Sequence, residues 1–153
     1  MSERPRTDLE AVYREQASRL WRAVVLYAGD REIASDAVAE AFAQAMRHGA
    51  SIRDPARWVW RAAFHLALDE LEARRRTIEL VDERYEMPES LADLVHALRG
   101  LSHHQRASVI LHDYAGYSRR EIAEVLGSSP SAVGVHLFRA RRRLRSDLEV
   151  RDD

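Results

Sequence analysis

Seven arginines between Ser118 and Arg145, at positions 119, 120, 139, 141, 142, 143 and 145, are answered there only by Glu121 and Glu124, a net charge of +5. In a near-neutral chain, so basic a stripe is suited to binding phosphate. A second group, Arg53, Arg57, Trp58, Trp60, Arg61, Phe64 and His65, sets aromatic faces beside cations. That combination suits the stacking of unpaired bases, worth roughly 1–3 kcal/mol per base. A third is Asp36 with Glu40, four residues apart and so on one helix face, with Phe42 beside them. Such a face suits arginines on a partner's helices.

Other chemistry finds no frame. His96, His103, His104 and His112 fall into no H-x-x-x-H or Glu-paired metal motif. There is no Ser-His-Asp arrangement, glycine-rich phosphate loop or nucleophile elbow, and the Asp69-Glu70 pair has no pocket signal around it. The expectation is a protein that is not an enzyme and that has no cofactor and no metal.

The elements that must carry these groups are helices. Ser118 with Glu121 forms a capping box, and Ile122, Ala123 and Leu126 make an apolar side that Gly127 ends. Ser129 caps the next helix with Pro130 at its first position, where a missing N–H costs nothing. Val133, Leu137, Ala140, Leu144 and Leu148 give that helix one buried stripe. Two helices joined by a tight Gly-containing turn, the second long and basic, form the pattern of a DNA-reading helix-turn-helix. Upstream, Thr7 and Glu10 predict a capped first helix with Leu9, Val12, Tyr13, Leu20, Val24 and Tyr27 inward and Gly29 at its end. Asp30 opens a second, striped by Ile33, Ala37, Val38, Ala41, Phe42, Ala45 and Met46 and closed by Gly49. Asp54-Pro55 starts a third, running to about Arg76. In it Trp58 and Trp60 lie about 200° apart, so one core face cannot take both and some aromatic surface stays exposed.

Residues 77 to 89 differ in kind: Glu79, Asp82, Glu83, Glu86 and Glu89 stand against Arg84 alone, with Pro88 closing the stretch. They read as an acidic linker. Beyond it Leu91, Leu94, Val95 and Leu98 predict a short helix, and Ser102 with Gln105 caps another carrying Val109, Ile110, Leu111 and Tyr114. The fold expected is therefore all-α, two small helical domains at 7–76 and 90–149. The 153 residues contain no cysteine and carry a net charge of −1, and no apolar run approaches the ~20 residues of a membrane span. A soluble cytoplasmic chain without disulfides is expected. All 24 basic residues are arginine, at every kind of position, which reads as codon bias.

Taken in order, these motifs resemble the extracytoplasmic-function group of sigma-70-type RNA polymerase sigma factors. Leu101-x-x-x-Gln105-Arg106, Gly116-Tyr117-Ser118-x-x-Glu121-Ile122-Ala123-x-x-Leu126-Gly127, and Val133, Leu137 and Arg139-Ala140-Arg141 are similar to sigma region four, which reads the minus-thirty-five element. The resemblance implies a winged-helix-like or region-four helix-turn-helix. Its upstream contacts would be Arg119, Arg120, Ser131, Ala132, Val135, His136, Arg139, Arg142 and Arg143. Asp36-Ala37-x-x-Glu40-x-Phe42 is similar to the segment that docks on the polymerase, and Trp58-Val59-x-Arg61-x-Ala63 with Asp69 to the segment that melts and reads the minus-ten element. For the latter the resemblance implies contacts from Arg53, Arg57, Trp58, Trp60, Arg61, Phe64 and His65. The partners implied are core RNA polymerase, promoter DNA and an anti-sigma protein.

The sequence departs from that pattern at Ala39, where glutamine is common, at His65, where asparagine is, and at Gly134-Val135-His136, where a Lys-Ser-Arg-like run is. On the outward arc Ser131, Gly134, Val135 and Phe138, nothing provides the bidentate base contacts of Arg, Asn or Gln. Upstream reading is therefore expected to rest on phosphate register and DNA shape. Two further readings stay open on the residues alone: a helix-turn-helix regulator that does not use the polymerase, and a helical interaction module with incidental arginines.

Overall fold

Caps and glycines divide the chain into helices much as their chemistry requires. The structure, a computed structural model, describes residues 4–77 and 89–149. Helices α1 (Arg4–Ala28), α2 (Arg31–His48) and α3 (Pro55–Thr77) precede α4 (Glu89–Arg99), α5 (His103–Val109), α6 (Arg119–Leu126) and α7 (Pro130–Glu149). No strand occurs among the described residues, so the helix-turn-helix carries no β-wing there. None of the described helices is long and apolar enough to cross a membrane. The chain separates into two compact units, Met1–Glu79 and Leu80–Asp153. The acidic stretch 77–89 lies outside the described residues except at its ends, which close α3 and open α4.

In the first unit α1, α2 and α3 pack against one another. Asp30 caps α2, its Oδ1 accepting from Ile33 N at 2.9 Å, while Oδ2 accepts from Arg74 on α3 at 3.0 Å. Ala34, Ala37, Ala41 and Ala45 line the buried side of α2, and Ala63 and Ala67 that of α3. Side chains this small let the helix axes approach closely. Trp60 is buried among them, and its indole N–H donates to Gln16 Oε1 on α1 at 2.7 Å.

Three details differ from expectation. Helix α1 is already formed at Arg4, so Thr7 lies inside it and is not its cap; Pro5 is tolerated because a first helical turn has no intrahelical use for its N–H. Met46 stands out from the α2 stripe, 70% exposed. Tyr13 is exposed as well, meeting the buried Phe42 edge-on at 5.1 Å.

In the second unit α7 packs on α4, α5 and α6. The expected capping boxes at Ser102/Gln105 and Ser118/Glu121 are both present. The turn after α6 uses the left-handed conformation of Gly127 (φ 64°), which any Cβ would strain. Ser129 Oγ accepts from Ala132 N at 3.1 Å and so caps α7. Past Val109 the α5 helix widens into a π turn over Ile110–Tyr114, with Ala115 N donating to Ile110 O at 3.1 Å. Val133, Leu137 and Ala140 are sealed, while Leu144 is half-buried and Leu148 exposed, because the packed part of α7 ends before them.

Trp60→Ala should destabilise the chain by about 3–5 kcal/mol. Trp60→Phe, which keeps an aromatic ring but removes the indole N–H and its five-membered ring, should cost less, about 1–3 kcal/mol. Urea unfolding followed by circular dichroism measures both, and equal stability of all three proteins would contradict the core role.

Candidate nucleic-acid interface

The arginines of α6 and α7 fall into two sets. Arg141 is committed to the fold: its Nη2 donates to Asp113 Oδ1 at 2.7 Å, tying α7 to the end of α5. His112 Nδ1 lies 2.8 Å from the same oxygen and 3.0 Å from Arg141 Nη2, so the three side chains form one cluster. Burial pushes the Asp113 carboxyl upward, but hydrogen bonds from Arg141 and His112 outweigh it and hold the group below its ordinary value. Arg143 pairs loosely with Asp147 at 3.6 Å on its own helix. By contrast Arg119, Arg120, Arg139, Arg142 and Arg145 are exposed and make no hydrogen bond or ion pair among the described residues. Guanidinia that outnumber the carboxylates on one helix pair and are left unpaired repel one another, an arrangement that an anionic ligand relieves.

The outward arc of α7 carries exposed Ser131, Val135 (47%) and Phe138 (66%), with half-buried Ala132 beside them. Phe138 was on the expected arc but not among the expected contacts; the signal is that it and Val135, three residues apart on one face, are both exposed and form an apolar patch. His136 is less available than expected. Its ring meets His104 edge-on at 5.4 Å, and its Nδ1 is sealed from solvent without a partner. Burial, then the charges of His104 and Arg139, push the imidazole below its ordinary value, so it is neutral at neutral pH.

In the first unit α3 sorts its aromatics by face. Trp60 and Phe64 are 2% and 3% exposed, so neither offers the stacking platform expected of it. Both rings belong to the core, Phe64 lying 5.1 Å from Tyr27. The inward period of Val59, Ala63 and Ala67 marks that face, and it is the signal that separates Trp60 from Trp58. On the other side Arg57, Trp58, Arg61 and His65 share an arc of about 100°. Arg61 and His65 on it are exposed and Trp58 is half-buried, its ring 5.3 Å from His48. Arg57 holds Asp54, whose Oδ1 accepts the Arg57 backbone N–H at 3.2 Å. Arg53 is exposed in the preceding loop, where Ser51 Oγ donates to His48 O.

On α2 the expected docking trio also divides. Asp36 is exposed and makes no ion pair or hydrogen bond among the described residues. Glu40 is engaged within its own helix: hydrogen bonds from Arg47 (2.9 Å) and Gln44 (3.2 Å) hold its carboxyl below the ordinary range. Phe42 is buried against Tyr13 and cannot meet a partner directly. The exposed apolar side chains are instead Tyr13 and Met46, both expected in the core. Among the described residues no group of carboxylates and histidines could hold a metal ion.

A capped helix-turn-helix with an unpaired arginine row, preceded by a separate three-helix unit, defines a DNA-binding protein of two modules. The family model for sigma-70 region 4 matches residues 91–144. The chain is 31% identical to the ECF RNA polymerase sigma factor SigL of Mycobacterium tuberculosis, over 92% of this chain and 89% of that protein. It is 25% identical to the RNA polymerase sigma factor SigV of Bacillus subtilis, over 86% of each. In fold it is similar to the sigma factor RpoE of Bartonella quintana, solved in complex with the anti-sigma factor NepR (TM-score 0.78, 20% identity, 97% of this chain and 98% of that one). It is also similar to CnrH, solved with the cytosolic domain of CnrY (TM-score 0.73, 23% identity, 93% and 88%). The chain belongs to the extracytoplasmic-function sigma factors of the sigma-70 family.

Because the Asp113 carboxyl is held below its ordinary value of 3.8, its ionised form contributes stability above that value, and the contribution is lost as pH falls through the folded-state pKa. Asp113→Asn should therefore lower stability at neutral pH by less than about 1 kcal/mol, the pair being half exposed. The difference from the parent should vanish in acid, as urea midpoints against pH will measure.

Proposed function

We propose that this chain gives core RNA polymerase its promoter specificity, working in the cytoplasm without covalent chemistry of its own. Residues 7–76 dock on the polymerase and engage the minus-ten element, residues 77–89 connect, and residues 90–149 read the minus-thirty-five element. The observation that carries this reading is the row of arginines without counter-ions on α6 and α7. Phosphates supply the missing charge: Arg120, Arg139, Arg142 and, on leaving Asp147, Arg143 set the register of α7 in the groove, with Arg119 contacting the DNA beside them. Ser131, Ala132, Val135 and His136 form the expected base-facing set, which Phe138 joins by its exposure.

On α3 the minus-ten surface consists of Arg53, Arg57, Trp58, Arg61 and His65, with Trp60 and Phe64 supporting it from behind. Docking uses Asp36 as its charge and Tyr13 with Met46 as its apolar part. An anti-sigma protein is the further partner, by analogy with the complexes in which the structural relatives were solved.

Run-off transcription with purified core polymerase tests the reading: defined start sites should appear only when both are present. A chain that binds duplex DNA equally well without polymerase, and directs no initiation, would instead be a free-standing regulator. Asp36→Arg should abolish co-purification with core polymerase in a protein of unchanged helicity, whereas Glu40→Arg should weaken it less. In holoenzyme binding to a mapped promoter, Arg142→Ala should lower the slope of log K against log[salt] by about one contact. Arg141→Ala should leave the slope unchanged, since that side chain is already paired.

A further inference from the structure

The outward arc of α7 carries a glycine, Gly134, and a side chain from the neighbouring helix α6 fills the space beside it. Gly134 sits mid-helix on the outward arc of α7, where glycine is unfavourable relative to alanine. A Cβ there would stand 3.1 Å from Arg119 Nη1, 3.4 Å from Cζ and 3.8 Å from Nε. Three atoms of the guanidinium thus lie against the α7 backbone in the space a side chain would take. Arg119 is the first residue of α6, exposed and without a hydrogen bond or ion pair among the described residues. Its seat is a groove shared with Leu137, Phe138, Arg142 and Arg145.

We infer that Arg119 is a specificity-determining residue: seated in the Gly134 notch, its guanidinium is carried on the arc that meets the bases and reads one guanine of the upstream element through O6 and N7. Gly134 is its positioning residue. Ser131, Val135 and Phe138 share that arc with at most one hydroxyl among them, and Arg119 is the guanidinium held against it at Gly134, placed to make the bidentate contact guanine favours. This refines the expectation that upstream reading rests on phosphate and DNA shape, and it depends on the sigma-factor reading proposed above.

The test uses holoenzyme assembled from core polymerase and the full chain, with promoter duplexes mapped by run-off transcription and varied one base pair at a time across the upstream element. The parent should lose about tenfold or more in affinity when one particular G·C pair is changed. Arg119→Lys, which keeps the charge but not the planar fork, should erase that preference while still discriminating at other positions. Gly134→Ala displaces only the flexible end of Arg119, so its melting temperature should stay level or rise, yet its preference at the same base pair should fall. A uniform loss across all duplexes for Arg119→Lys and Arg119→Ala would make Arg119 a phosphate contact and overturn the inference alone. An unaltered preference in Gly134→Ala would also overturn it, by removing the notch from the argument. Failure of the parent chain to form a holoenzyme would overturn the sigma-factor reading and the inference with it.

Discussion

Five guanidinia without counter-ions are held on α6 and α7 by one sealed seam. Val133, Leu137 and Ala140 are at most 1% exposed, and Ile122, Ala123 and Val125 of α6 and Leu111 at the end of α5 at most 4%. Burying side chains of the size of Val or Leu contributes roughly 1.5–3 kcal/mol each. Repulsion between exposed guanidinia in water is smaller, about 1 kcal/mol at 4 Å and screened beyond about 8–10 Å. The seam therefore wins, and the charge can be left for a ligand. The pairing of Arg141 with Asp113 adds direction more than energy, because it ties the middle of α7 to the end of α5.

The first unit solves a related problem with an aromatic. On the minus-ten role proposed above, its outer arc on α3 has to present Trp58, Arg61 and His65 at a defined angle, and a helix that could roll about its axis would not do so. Trp60 prevents the roll: its ring is inside the unit, and its N–H is fixed to Gln16 on α1. Arg74 near the other end of α3 is fixed to the cap of α2. A residue that resembles a base-stacking platform in the linear chain thus orients the surface that its neighbours form. Buried first-layer support of this kind is what makes a binding surface precise enough to discriminate.

What could be read from the chain divides along the same line. Local chemistry was legible: Asp30, Asp54, Ser102, Ser118 and Ser129 cap the helices their positions announced, and Gly29 and Gly127 end them with positive φ. The arginine row and the helix-turn-helix were legible because charge and period are properties of the chain. What was not legible depends on partners far along it. Trp60 meets Gln16 across 44 positions, and Arg141 meets Asp113 across 28. The fate of Phe42 hangs on Tyr13, which a helical stripe alone assigned to the core. Gly134 read only as a departure from the family's polar run, because the side chain that uses the space belongs to another helix.

Charge balance places one more constraint on how such a chain can act. Residues Ser118 to Arg145 carry a net charge of +5 within a chain of net charge −1, so the remaining residues carry −6. Outside a Debye length the two fields cancel to a small net repulsion from DNA. Attraction is regained only where α6 and α7 come within about 10 Å of phosphate. Long-range steering toward DNA, which rests on the net charge, is thereby weak for the chain alone. A partner that covers the acidic residues, or that supplies its own contacts to the same duplex, removes the repulsion and leaves the arginine row in range. Polymerase docked as proposed above would do both, coupling promoter binding to docking through electrostatics that neither unit supplies by itself.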